Sequence, residues 1–297
     1  MKFLVTGSSG LVGRQVVKDL SKSTDQIYSC YHNTKPDSGI PTQLDLTNSE
    51  NIIKTIEKIK PNAILHLAAM TNVDQCETEK ELALKINAKA TEIISKQAAK
   101  HGAFFVYVST DYVFDGKKGM KKENDLTNPI GYYGKSKLEG ENAVRDLASS
   151  WCIARTSTPF GIHPQRKSFP LFVIENLKAK KEISTVTDQY TSPTYVPNLS
   201  KMIIEIATRQ IVGIMHVAGA TRISRYEMAE MIADKLHLDK KLLRTTTIDK
   251  MDWKAKRPQD SSLDVSKATS ILKEKPLRIE QGIDYLIQEL SHKTQTT

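Results

Sequence analysis

Three glycines spaced three apart constrain this chain more than any other feature. Gly7, Gly10 and Gly13 stand in TGSSGLVG (residues 6–13), between the apolar run KFLVTG and a stretch, 11–20, whose apolar residues recur with helical spacing. In a strand–turn–helix, the first glycine permits the tight turn. The second lets the backbone approach a pyrophosphate, and the third lets the helix pack close to the strand. Phosphates would then face the free N–H groups of the helix N-terminus, so Gly7, Ser9, Gly10, Leu11, Val12 and Gly13 are expected to cradle a dinucleotide. The alternative is a plain strand-to-helix turn. The spacing is Gly-x-x-Gly-x-x-Gly rather than Gly-x-Gly-x-x-Gly.

The remaining pattern alternates. Strands are expected at 26–31, 63–69, 103–110 and 151–155, with helices at 51–59, 81–100 and 137–148 between them. Near-continuous apolar strands separated by helices indicate a doubly wound parallel sheet covered on both faces, an α/β fold of Rossmann type. After Arg155 the rhythm breaks at Pro159, Pro164, Pro170, Pro193 and Pro197, with helical stretches at 169–178, 198–208 and 224–238. The expectation is a nucleotide-binding domain over 1–156 and a smaller, mainly substrate-binding domain over 157–297. The chain is expected to return to the first domain around 185–215.

At 297 residues, 39% hydrophobic and 26% charged, the chain reads as a globular protein with a sizeable core. Cys30, Cys76 and Cys152 lie far apart with no paired spacing, giving neither a disulfide framework nor a metal cluster and fitting a reducing cytoplasm. Neither an export signal nor a membrane span is legible. The net charge of +9 suits a phosphorylated substrate; with 6% aromatic residues and no reading motif, nucleic acid is not expected.

Enzymes that use NAD place an acid at the end of the second strand to hold the ribose hydroxyls. Here Cys30-Tyr31-His32-Asn33-Thr34-Lys35 contains none, and Arg14, His32 and Lys35 add donors or positive charge. NADPH is therefore favoured, with NADH the alternative. His32 and Asn33 are expected at the ribose, and Asp45 and Leu46 at the adenine unless Asp45 caps a turn.

YYGKSKLEGE (132–141) carries the reactive pair. Residues four apart share a helix face, so Tyr133 meets Lys137 while Tyr132 meets Ser136. Reduction of a ketone needs a proton for the growing alkoxide, and a nearby ammonium is expected to lower the phenol's pKa. Lys137 can also hold the nicotinamide ribose. Of Ser109 and Thr110, which point to opposite sides of a strand, Thr110 at its end is the expected third donor. The plain alternative has Tyr133 packing, Lys137 solvated and Thr110 capping a turn.

These segments, with LHLAAMTNVDQCE (65–77), VSTDYVFDG (108–116), RTS (155–157), DQYTSPTYV (188–196) and RPQDSSLDVSK (257–267), resemble the extended short-chain dehydrogenase/reductases, in the branch containing dTDP-4-dehydrorhamnose reductase. The resemblance covers nearly the whole chain. It implies catalysis by Thr110, Tyr133 and Lys137, with Ala68, Ala69 and Met70 lining the cofactor and Asn87 supporting the active-site backbone beside it. Thr71, Val73, Asp111, Tyr112 and Thr158 would approach the sugar, and Arg257 would face the nucleotide-sugar end. The implied reaction is NADPH-dependent reduction at C4 of dTDP-4-dehydro-β-L-rhamnose, by a homodimer.

The branch commonly continues RTS with Trp, whereas Thr158-Pro159-Phe160 follows here, so the aromatic platform is either missing or replaced by Phe160. Two other functions resemble this pattern: another nucleotide-sugar reductase or epimerase, and a dinucleotide-binding regulatory subunit similar to that of methionine adenosyltransferase. Mg²⁺ dependence occurs in some members, but Glu139 and Glu141 have no metal-ligand arrangement and no metal site is assigned. His66, in an apolar strand, is expected to pack in the core.

Overall fold

The apolar runs form strands Lys2–Thr6 (β1), Gln26–Tyr31 (β2), Ile40–Gln43 (β3), Ala63–His66 (β4), Phe104–Thr110 (β5) and Trp151–Thr156 (β6) in a computed structural model, which describes residues 1–23 and 25–294. Between them lie helices Leu11–Leu20 (α1), Ser49–Ile59 (α2), Val73–Thr78 (α3), Lys80–Leu84 (α4), Ala90–His101 (α5) and Tyr132–Leu147 (α6). The second half adds short strands Pro159–Phe160 (β7), Ile183–Val186 (β8), Tyr190–Thr191 (β9), Thr194–Tyr195 (β10), Gly213–His216 (β11), Ile223–Ser224 (β12) and Leu243–Thr246 (β13). Its helices are Phe169–Lys178 (α7), Val196–Arg209 (α8), Arg225–Lys235 (α9), Ser266–Ile271 (α10) and Ile279–Thr294 (α11).

Seven strands form one parallel sheet in the order β11-β6-β5-β4-β1-β2-β3. The order reverses between β1 and β4, the crevice where open α/β sheets take their ligands. Both faces of the sheet carry apolar cores. One joins β1 and β5 to α1 and α8 through Val16, Val17, Leu199, Ile203 and Ile206; the other packs Ile52, Ile56, Ile94 and Val144 of α2, α5 and α6. α8 thus lies beside α1, and β11 extends the sheet beyond β6. A third core unites α7, α9 and α11 through Val173, Ile174, Ile232 and Ile283, with β8 and β13 paired at its edge.

Two segments depart from the sequence pattern for local reasons. The apolar run 63–69 leaves the sheet after His66 because Thr6 Oγ1 accepts the N–H groups of Leu67 and Ala68 at 3.2 and 3.1 Å. The stretch 81–100 is not a continuous α-helix. A π-helical turn over Lys85–Lys89 separates α4 from α5, and such turns often mark functional positions.

His66 is fully buried and packs in the core as expected. Its Nδ1 lies 2.7 Å from Thr6 Oγ1 and its Nε2 3.1 Å from Thr91 Oγ1, which in turn donates to Asn87 O at 2.8 Å. Burial pulls the imidazole down to about 3, so the ring is neutral.

Glu141 of α6 and Arg155 of β6 are 0% and 1% exposed and form a bidentate pair, Nε–Oε1 2.9 Å and Nη2–Oε2 2.7 Å. Removing one partner strands a charge in the core. Glu141→Ala should lower unfolding free energy by about 3–5 kcal/mol in urea titrations. Adding Arg155→Met should recover part of that loss, whereas losses of the two single variants that simply add in the double would show that the pair is not coupled.

Candidate active site

A cavity of about 830 Å³ opens at the C-terminal ends of β1, β2, β4 and β5. Its base is the glycine loop. Gly7 has φ +67°, and a Cβ there would lie 2.8 Å from Ala68 N. At Gly13 a Cβ would come within 2.1 Å of Gly7 O, so only glycine allows α1 to sit this close to β1. α1 has no side-chain cap and no acid in its first turn, which leaves its N-terminal amides for an anion. Ser9, Gly10, Leu11 and Val12 border the cavity here, and His163 Nε2 reaches Ser9 O at 3.0 Å from the second half of the chain.

His32, Asn33 and Thr34 form the far rim with Asp45 and Leu46. Asp45 Oδ1 accepts both the N–H and the hydroxyl of Thr47 at 2.8 Å. These bonds hold its carboxyl below the usual range, so its side chain is a turn cap and what it offers the cavity is its position. Arg14 does not line the cavity; it pairs with Asp37.

Ala68, Ala69 and Met70 follow β4 along the wall. Asn87, placed by the π-helical turn, does not line the cavity. Its Oδ1 accepts Met70 N at 2.8 Å, and its Nδ2 donates to Met70 O at 3.1 Å and Ser136 Oγ at 2.9 Å. It braces the wall and α6 together, the support of the active-site backbone that the resemblance implies for it.

α6 turns Tyr133 and Lys137 to the cavity and Tyr132 away. Tyr132 N donates to Glu77 Oε2 at 2.9 Å and its ring lies 5.4 Å from Lys80 Nζ. Lys137 Nζ donates to Val108 O at 2.9 Å and stands 4.0 Å over the Tyr107 ring, and burial pulls the amine down to about 7. The expected lowering of the Tyr133 phenol is not found. Burial pushes it above its ordinary value, and the neighbouring Asp111 acts in the same direction. A phenol so placed keeps its proton and is suited to give it away.

Ser109 and Thr110 both border the cavity, but Ser109 Oγ is committed to Glu141 Oε1 at 2.6 Å. Thr110 Oγ1 donates to Asp111 Oδ1 at 2.9 Å and accepts Tyr112 N at 3.2 Å, so it caps a turn and faces the cavity at once. Asp111 is buried; Ser157 and Ser261 donate to its Oδ2 at 2.7 and 2.5 Å. Burial nevertheless raises its carboxyl above the ordinary range.

Thr71, Val73, Tyr112 and Thr158 complete this side. Thr158 has φ +41°, a left-handed conformation that stores strain at the site. Two residues singled out in the sequence lie outside this wall. Phe160 is buried in the third core, 5.7 Å from the Tyr195 ring, and supplies no platform to the cavity. Arg257 does not line it either, because Asp74 takes its guanidinium bidentately at 2.9 and 3.0 Å. That pair staples α3 to the C-terminal segment.

The sequence reading missed Arg166, Lys167 and Arg225, all on the cavity wall. Nothing in the sequence near Arg225 marks a ligand; the Ser224–Glu227 capping box that the structure shows there marks a helix start. Among the described residues, no group of three or more His, Cys, Asp or Glu side chains is arranged to hold a metal. None of their helices is long and apolar enough to cross a membrane.

A Tyr-x-x-x-Lys pair, the tyrosine half-buried and the lysine buried, facing a glycine-loop helix defines an extended short-chain dehydrogenase/reductase. The family model described as RmlD substrate binding domain matches residues 1–292, and the chain belongs to that family. It is 34% identical over 278 residues to a dTDP-4-dehydrorhamnose reductase of Aggregatibacter actinomycetemcomitans, covering 90% of this chain and 91% of the relative. It is 32% identical over 276 residues to methionine adenosyltransferase 2 subunit beta of Xenopus tropicalis, covering 90% and 81%. Among solved structures, dTDP-4-dehydrorhamnose reductase from Bacillus anthracis in complex with NADP superposes with a TM-score of 0.87 at 31% identity, covering 97% and 99%.

The Lys137 amine carries a pH signature. Its pKa falls from 10.5 in the unfolded chain to about 7 in the fold, so between these values the unfolded state binds the extra proton. Its contribution is therefore most favourable above pH 10.5 and is lost as pH falls towards 7. Lys137→Met should gain thermal stability over the parent at pH 7, and the gain should shrink towards pH 10. A difference in Tm that is flat across this range would rule out the buried, depressed amine.

Proposed function

We propose that the protein is an NADPH-dependent oxidoreductase that reduces the C4 ketone of dTDP-4-dehydro-β-L-rhamnose to dTDP-β-L-rhamnose. The observation that carries this reading is the convergence of Thr110, Tyr133 and Lys137 on one wall of a cavity whose base is the glycine loop. The backbone approach at Gly7 and Gly13 and the uncapped N-terminus of α1 fit a dinucleotide pyrophosphate. Ser9 to Val12 would hold the phosphates, His32 and Asn33 the adenosine ribose, and Asp45 and Leu46 the adenine. Ala68, Ala69 and Met70 would flank the nicotinamide side. The loop after β2 has no carboxylate before Asp37, which Arg14 engages, and this favours a 2′-phosphate over a bare ribose.

When bound, the reduced dinucleotide supplies a hydride to C4. Tyr133 gives its proton to the C4 oxygen, and Thr110, once its hydroxyl turns from Asp111 Oδ1, donates a hydrogen bond to the same atom. Lys137, fixed on Val108 O, holds the nicotinamide ribose and supports the phenolate left behind. Thr71, Val73, Asp111, Tyr112 and Thr158 surround the sugar. In this reading residues 1–156, with the chain's later return, hold the dinucleotide, and the rest of 157–297 holds the substrate. A homodimer in a reducing cytoplasm fits the family and the three free, buried thiols.

The similarity to methionine adenosyltransferase 2 subunit beta supports a second reading, a dinucleotide-binding regulatory subunit. NADPH oxidation by the purified protein with dTDP-4-dehydrorhamnose separates the two. Tyr133→Phe should lower kcat about 10²–10⁴-fold while NADPH binding persists. NADPH binding without turnover, together with a stable complex with a synthetase, would favour the regulatory reading.

A further inference from the structure

Arg225 opens α9 on the cavity wall, on the Tyr112 side. Its Nε donates to Gln189 Oε1 at 3.2 Å and its guanidinium lies 4.9 Å from the Phe169 ring centre. Among the described residues it has no carboxylate within 4.0 Å, and nothing hydrogen-bonds its two terminal nitrogens. An enclosed guanidinium without a counter-ion is costly, and burial pulls its pKa down.

The other cations of the cavity are engaged or peripheral. Lys137 is tied to Val108 O and Lys167 to Glu175, while Arg166 is exposed; Arg257, outside the cavity, is neutralised by Asp74. Among the described residues of the cavity wall, Arg225 alone presents a fixed fork with no salt-bridge partner to the enclosed space. A planar fork with two free terminal nitrogens matches two oxygens of a phosphate group.

We propose that Arg225, oriented by Gln189 and Phe169, is the anchor for the diphosphate of the nucleotide-sugar. The proposal rests on the nucleotide-sugar reading of the cavity. It makes Arg225 a substrate-binding residue whose effect is on affinity for the anion and not on proton transfer.

The test is calorimetric titration of the full chain, saturated with NADPH, using dTDP and thymidine as separate probes. Arg225→Gln should weaken dTDP about 10–100-fold, as loss of a charged hydrogen-bonding partner does. Thymidine and NADPH affinities should stay at parental values, which also shows that the variant is folded. Arg225→Lys, which keeps the charge and loses the fork, should fall between. In steady state the glutamine variant should raise KM for the nucleotide-sugar more than it lowers kcat.

Unchanged dTDP affinity in Arg225→Gln would overturn the proposal, as would equal weakening of thymidine or no dTDP binding by the parent. Failure of the reductase reading looks different. There the parent and Tyr133→Phe bind dTDP in an Arg225-dependent way, but the parent oxidises no NADPH with the sugar ketone.

Discussion

The contact of α1 with β1 through two glycines is the constraint on which the site depends. A Cβ at Gly13 would meet Gly7 O at 2.1 Å, so the helix axis lies where no other residue would allow it. This close approach aims the amides of α1 at the crevice where the strand order reverses. The phosphate end and the reactive end of the cavity then have a fixed separation, because both hang from one sheet.

A chain of buried polar contacts transmits that placement across the sheet. Thr6 at the end of β1 holds the turn after β4 and touches His66, which touches Thr91, which donates to Asn87 O. Asn87 then fixes both polar groups of Met70 and reaches Ser136 on α6, beside Lys137. The π-helical turn gives Asn87 its position. On the other side of α6, Glu141 ties Arg155 to Ser109 and so commits that hydroxyl of β5 to the core pair. The reactive groups are thus held by buried hydrogen bonds whose loss would leave polar atoms unsatisfied.

Much of this was legible beforehand because it depends on local rules. Helix α1, strand β2 and helix α7 have the bounds read from periodicity, and the four-residue spacing alone chose Tyr133 over Tyr132. The π-helical turn was not legible, since its residues carry the same apolar spacing as an α-helix. The resemblance placed Arg257 at the nucleotide-sugar end, and its partner Asp74, 183 residues away in sequence, left no local sign of their pairing. Arg225 was passed over for the converse reason: nothing near it in the chain shows that it lacks a counter-ion.

The sequence by itself determined the α/β alternation, the glycine loop and the reactive tyrosine–lysine pair, because each rests on spacing within a single element or turn. Tertiary structure decided which charged groups are free to act, that the Ser109 hydroxyl is tied to Glu141, and that burial raises the Tyr133 phenol instead of Lys137 lowering it. Those outcomes depend on distances and desolvation between segments far apart in the chain. No local pattern encodes them.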